Sequence, residues 1–194
     1  MEGAGVRLRR AFGFGDTTEV DPFLLFDDFR GDRPDDYLAG FPWHPHRGIE
    51  TITYVLTGTV DHADSLGNQG ALGPGDVQWM TAGSGILHQE MPKGDSEGRM
   101  HGFQLWANLP STLKMTAPRY QDVKSADIPE LMEDDGTVVR VIVGEFWGKK
   151  GPVAEDFEKL RNERDLYLSL LQLGKQSDVE PFLTGAGARP RVDV

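Results

Sequence analysis

The sequence predicts an all-β protein, a sandwich or a barrel, and three observations carry that expectation. Strand-like runs recur at roughly 8–12-residue spacing. Glycine and proline are abundant, 24 and 12 in 194 residues, which suits short strands and tight turns better than a helical bundle. A single stretch, 154–164 (AEDFEKLRNER), reads as a helix, with Glu155–Lys159 and Lys159–Glu163 at helical spacing.

Taken in order, Val6-Arg7-Leu8-Arg9 alternates as a strand would, and Gly13-Phe14-Gly15-Asp16 follows as a turn. That turn is no dinucleotide fingerprint, because the third glycine and a βαβ context are missing. Residues 21–48 are rich in Pro, Asp and Gly around Phe23, Leu24, Leu25 and Phe26, and read as a long ordered loop with one short strand. Arg30-Gly31-Asp32 spells an adhesion tripeptide that nothing else in the chain supports. Residues 49–60 (IETITYVLTGTV) are β-branched and aromatic and break at Gly58, a clear strand signal. His62, in Asp61-His62-Ala63-Asp64-Ser65, falls at an expected hairpin end. Further strands are expected at Val77–Met80, Ile86–Glu90, Gly102–Asn108 and Val138–Phe146, with a tight turn at 82–85. After the helix, Leu166–Leu173 reads as a last strand and the Gly/Pro/Arg-rich remainder as a mobile tail.

Bulk properties narrow the function. Twenty basic against 31 acidic residues give a net charge of −11, which repels phosphate backbones and anionic lipid and argues against direct nucleic-acid or membrane binding. There is no cysteine, so disulfides and thiolate ligands are excluded. The N-terminus lacks the apolar core of a signal peptide, and no apolar run approaches the ~20 residues of a membrane span. A soluble cytoplasmic protein is the simplest expectation.

The chemistry resides in two triplets, His44-Pro45-His46 and His88-Gln89-Glu90. On a strand, positions i and i+2 share a face, so each triplet presents two ligand-capable side chains on one side. Pro45 cannot donate to a ladder and marks a strand start or an edge. Two such strands facing each other across a barrel would bring His44, His46, His88 and Glu90 to one point, a set that suits a divalent iron, manganese, nickel, copper or zinc ion. An octahedral ion would keep two open positions for dioxygen or a chelating substrate. The bland alternative is that these are ordinary core or surface histidines, and it is less attractive for two period-two pairs than for one.

The stretch Phe41-Pro42-Trp43-His44-Pro45-His46-Arg47-Gly48-Ile49-Glu50-Thr51 resembles the first metal motif of the pirin family, within the cupin superfamily. Residues 75–90, from Gly75-Asp76-Val77-Gln78-Trp79 to Leu87-His88-Gln89-Glu90, resemble the second, and Asp21–Phe29 and His101–Trp106 match as well. The resemblance runs from about residue 12 to residue 152. It implies a cupin-type β-barrel (a double-stranded β-helix or jelly roll), with family metal ligands on His44, His46, His88 and Glu90 and iron as the first-choice metal. In many cupins the carboxylate comes from the first motif, where Glu50 stands; in pirins it comes from the second. Glu50 is therefore expected to be buried or to support the ligands, paired with Arg47. His101 is a weaker candidate for the pocket wall, and Trp79, Trp106 and Phe103 are core residues by default that could wall the cavity.

Two functions attach to the resemblance. One is a dioxygenase of the quercetin 2,3-dioxygenase type, acting on a flavonol and dioxygen, with Glu90 as both ligand and acceptor of the 3-hydroxyl proton. The other is a redox-sensitive regulatory module that binds a protein partner without turnover. Pirins generally carry two barrels, but only about 50 residues follow Val138–Glu145 here, too few for a second one of ~80–100 residues. The expected division is a metal-binding domain over 1–125 and a shortened remnant of a second cupin domain over 126–194. Apolar surface normally covered by the second barrel would then be exposed, or covered by 166–183 or by another copy of the chain.

Overall fold

The computed structural model describes residues 3–154. Residues 155–164 of the expected helix, the strand at 166–173 and the tail lie outside the described residues. Within them the chain is nearly all β.

The strands are β1 (Arg9–Phe12), β2 (Phe23–Asp28), β3 (Phe41–His46), β4 (Ile49–Thr57), β5 (Thr59–Asp64), β6 (Gln69–Leu72), β7 (Val77–Thr81), β8 (Ile86–Lys93), β9 (His101–Asn108) and β10 (Arg119–Val123). A four-residue helical turn, Thr17–Val20, joins β1 to β2. Six strands form one antiparallel sheet in the order β1-β2-β9-β4-β7-β10, and four form a second in the order β3-β8-β5-β6. Together they make a jelly-roll barrel of cupin type. The run 49–60 passes from the large sheet to the small one at Gly58, where φ is +78 and a Cβ would lie 2.5 Å from the Lys93 carbonyl oxygen, so the corner excludes any side chain.

Three expectations need correction. Residues 21–48 hold two full strands, β2 and β3, because their Pro and Gly concentrate between them, at 31–40, and at Pro22, Pro42 and Pro45, where a ladder tolerates them. The first strand lies at Arg9–Phe12 rather than over Val6–Arg9. The expected run at 138–146 is two short strands, β12 (Val138–Arg140), paired with β11 (Glu130–Met132), and β13 (Glu145–Phe146), paired with β14 (Lys149–Lys150).

Apolar packing is split over three clusters. Val6, Phe29, Tyr37, Val55, Val60, Leu72 and Met100 form one, and Met80, Ala82 and Ile86 another. The largest joins Phe23, Ile52, Tyr54, Trp79 and Phe103 of the large sheet to Ile128, Val143 and Val153 of the segment that follows it. Arg140 pins that segment down. It donates to the Tyr54 hydroxyl (2.8 Å), the Gly75 carbonyl (2.9 Å) and Ser125, and its Nε lies 3.0 Å from Glu130. No helix among the described residues is long and apolar enough to cross a membrane.

Candidate metal centre

Strands β3 and β8 carry the two triplets, and they are hydrogen-bonded neighbours in the small sheet rather than opposite walls of the barrel. Register sets His44 directly against His88, and Pro45 lies on the edge strand, as its missing N–H requires. One extra residue between Phe41 and His44 breaks the register, a bulge of the kind that re-aims side chains beside a functional site. Convergence thus comes from adjacency: His44 and His46 on one strand and His88 on the next all turn inward.

The three imidazoles offer ring nitrogens that all lie within 4.8 Å of one another. His44 Nε2 is 3.0 Å from both His46 Nε2 and His88 Nε2. His44 Nδ1 donates to the Pro42 carbonyl at 2.8 Å, which leaves the Nε2 lone pair facing the cluster, the arrangement typical of a ligating histidine. Two nitrogens bound at ~2.1 Å and at right angles to one ion would be about 3.0 Å apart, so the spacing fits a divalent cation. Burial and the neighbouring His88 and His44 push the His46 imidazole down to about 3, and burial lowers His88 against the pull of Glu90. Both rings are therefore neutral at physiological pH, the form that binds metal. His44, His46 and His88 could hold a metal ion.

Glu90 follows on the inward face of β8 and is 3 % exposed, but it is not part of the group within 4.8 Å. Its two oxygens are held from the large sheet: Thr53 Oγ1 donates to Oε1 and Gln104 Nε2 to Oε2, each at 2.8 Å. Burial alone would raise its pKa; His88, these two donors and His44 outweigh it and hold the carboxyl below its ordinary value.

A cavity of about 510 Å3 opens beside His44, walled by Phe14, Phe41, Trp43 and Trp106, with Gln104 and the Arg10–Asp27 ion pair on its inner side. Trp106 packs edge-on against His46, with ring centroids 4.8 Å apart, and Phe14 meets Trp106 at 6.1 Å.

The remaining candidates divide. His62 does lie near the end of the β5–β6 hairpin, but buried within β5 rather than in a turn or on the surface: it is 6 % exposed, cross-strand from Glu90 and 3.9 Å from Asp122. Gly70 stands beside it because a Cβ there would come within 2.7 Å of its Nε2. His101 lies 3.5 Å from Asp28 and against Phe103, on the other face of the sheet from the imidazoles. Glu50 is fully buried on that same outer face and accepts from Thr81 at 2.6 Å, while Arg47 donates to Met115 Sδ instead. Trp106 lines the cavity; Trp79 and Phe103 belong to the outer apolar cluster. Sequence reasoning missed Thr53 and Gln104. The signal for Gln104 was its place two residues before Trp106, on the same face of one strand.

Comparison with known proteins bears on the family and the fold. The family model described as Pirin matches residues 5–107. The chain is 52% identical over 153 residues to a pirin-like protein of Caulobacter vibrioides, covering 78% of this chain and 55% of that one. It is 52% identical over 153 residues to Pirin of Homo sapiens, covering 78% and 50%. A solved structure of a quercetin 2,3-dioxygenase from Acinetobacter baumannii superposes with a TM-score of 0.72 at 38% identity, covering 80% of this chain and 57% of that one. The chain spans about half the length of the curated relatives it matches.

Proposed function

This chain belongs to the pirin family of cupin-type barrels, and from that premise we propose that it is a metal-dependent dioxygenase of the quercetin 2,3-dioxygenase type, acting on a flavonol-like aromatic substrate and dioxygen. The observation that carries the reading is the set of three inward imidazole nitrogens, with His44 Nε2 3.0 Å from each of the other two, opening onto an aromatic-walled cavity of about 510 Å3. A volume of that order suits a three-ring ligand, and flat aromatic walls suit its planarity.

In this proposal His44, His46, His88 and Glu90 hold one divalent ion, with Fe(II) first and Mn, Ni, Cu or Zn as alternatives. When bound, the ion supplies a Lewis acid that favours the deprotonated form of a 3-hydroxy-4-keto ligand. Trp106, Trp43 and Phe14 orient the rings and keep bulk water from the reacting face. Glu90, its carboxyl held below the ordinary value and its oxygens held by Thr53 and Gln104, accepts the 3-hydroxyl proton at a carboxylate oxygen. The proposed functional unit ends near residue 125, and 126–154 close the outer face of its sheet.

The test is direct. Protein loaded anaerobically with Fe(II) and mixed with quercetin should bleach the near-visible absorbance only when oxygen is admitted, and His44→Ala should abolish it. Metal-loaded protein that binds quercetin yet consumes no oxygen would remove the dioxygenase reading and leave a metal-binding barrel.

A further inference from the structure

The large sheet carries one unbroken polar row on its inner face: Arg10, Asp27, Gln104, Thr53, Gln78 and Asp122 are successive cross-strand neighbours. Polar groups inside a barrel cost free energy unless each finds a partner. The ends of the row satisfy themselves. Arg10 donates to both oxygens of Asp27 at 2.7 and 2.8 Å, and Gln78 donates to Asp122 at 3.0 Å. The middle pair, Gln104 and Thr53, turns to the opposite sheet and holds Glu90.

Gln104 differs from Thr53 in having both ends of its side chain engaged. Its oxygen accepts from Trp106 Nε1 at 3.1 Å, and its nitrogen donates to Glu90 Oε2 at 2.8 Å. An indole N–H can only donate, so the amide oxygen must face Trp106 and the NH2 must face Glu90. The orientation of the amide is thereby fixed from the cavity side. Trp106 is itself a wall of the cavity and lies against His46.

We propose that Gln104 is a positioning residue that couples the cavity wall to the ion: Trp106 fixes the amide, and the amide fixes Glu90 for coordination. The inference rests on the metal centre proposed above. It follows that a ring stacked on Trp106 and an ion on the imidazoles influence each other's affinity through Gln104, reciprocally.

Cobalt(II) titration of metal-free protein, read by visible ligand-field absorption, tests this without turnover. Gln104→Leu should weaken cobalt(II) binding about 10–100-fold, the range found when partners of ligands are removed. Gln104→Glu keeps the acceptor for Trp106 and loses the donor to Glu90, so it should weaken binding at least as much. Trp106→Phe keeps an aromatic face but loses the N–H together with the second ring of the indole; its smaller loss of cobalt(II) affinity should vanish when combined with Gln104→Leu, because both act through one amide. The ligand-field bands should shift in the Gln104 variants as the carboxylate leaves its place, which a purely structural role would not cause. Losses that simply add, or a Trp106→Phe protein that binds cobalt(II) like the parent, overturn the coupling alone. A parent protein that takes no cobalt(II), or His88→Ala that takes it equally well, overturns the metal centre and the coupling with it. Should Gln104→Leu fail to fold, Gln104→Glu and Trp106→Phe carry the same comparison.

Discussion

On β4, Ile52 and Tyr54 face outward into an apolar layer, while Thr51 and Thr53, one residue away in each case, face the interior among carboxylate, amide and imidazole groups. The contrast holds across the sheet, with Trp79 outside against Gln78 inside and Phe103 outside against Gln104 inside. In an antiparallel barrel wetted on its outer side the arrangement is normally the reverse. Here the polar face is inside because it serves the imidazoles, and the apolar face is outside because residues 126–154 cover it. Stability and chemistry are thus divided between opposite faces of the same strands, and each can be broken separately.

The largest expected effect belongs to the inner face. His88→Ala removes the imidazole that His44 Nε2 meets at 3.0 Å and should cut metal affinity at least about 100-fold, by analogy with losses at outer partners, which are the smaller ones. Metal-free stability should change little, because His88 Nδ1 is buried without a hydrogen-bond partner among the described residues and its loss relieves a desolvation cost. Metal content by elemental analysis and a urea melt of the metal-free protein check the two halves. A melt that collapses while metal stays bound would refute the division.

The outer face should respond in the opposite sense. Trp79 is 2 % exposed within the largest apolar cluster, and Trp79→Ala should cost about 3–5 kcal/mol of stability. The protein that remains folded should bind cobalt(II) as before, since Gln78 and Trp79 point to opposite sides. Denaturant unfolding followed by metal titration below the transition separates the two.

How much of this was legible depended on periodicity. The alternation of β4 was legible, the two period-two triplets paired His44 with His46 and His88 with Glu90 on shared faces, and Pro45 marked β3 as a strand start or an edge. Strands β6 (QGAL) and β10 (RYQDV) were not legible, because an edge strand with exposed or polar residues carries no hydrophobic signal. That β3 and β8 are neighbours rather than opposing walls was equally hidden, since pairing joins residues 44 apart in the chain and sequence spacing does not encode it. His62 was misplaced for a related reason: Asp61, Asp64 and Ser65 look like a turn, yet β5 is polar because it faces His88 and Glu90. Polar strands at a functional interior imitate loops.

Acid should distinguish the faces without any substitution. The folded His46 imidazole takes a proton only near pH 3, held down mainly by burial, whereas in the unfolded chain it does so near its ordinary 6.5. Between those values the unfolded state binds more protons, so the metal-free protein should lose stability as pH falls from about 6.5 toward about 3, and the loss should be absent above that window. His46→Gln should flatten the dependence, whereas Trp79→Ala should shift the whole curve down without changing its slope. Thermal midpoints in buffers across the window measure both, and identical slopes in parent and His46→Gln would remove His46 as the cause.

The smallest effect is expected at the cavity mouth, where the two-face division meets the surface. Phe14 is 62 % exposed between two glycines and touches the edge of Trp106 with ring centroids 6.1 Å apart. An aromatic left so exposed contributes little to folding, so Phe14→Ala should change stability by less than about 0.5 kcal/mol. Its value is to a ligand: a planar ring in the cavity would meet Phe14 and Trp106 together, and losing one aromatic contact worth about 0.5–1.5 kcal/mol weakens binding roughly 2–10-fold. Quenching of tryptophan fluorescence by quercetin under anaerobic conditions reads that affinity without turnover. If Phe14→Ala binds quercetin unchanged, the ligand does not reach the mouth and the cavity must be filled from Trp106 inward. If it instead destabilises the fold by more than about 1 kcal/mol, Phe14 acts as a plug over the inner face, and the polar interior depends on its rim for stability after all.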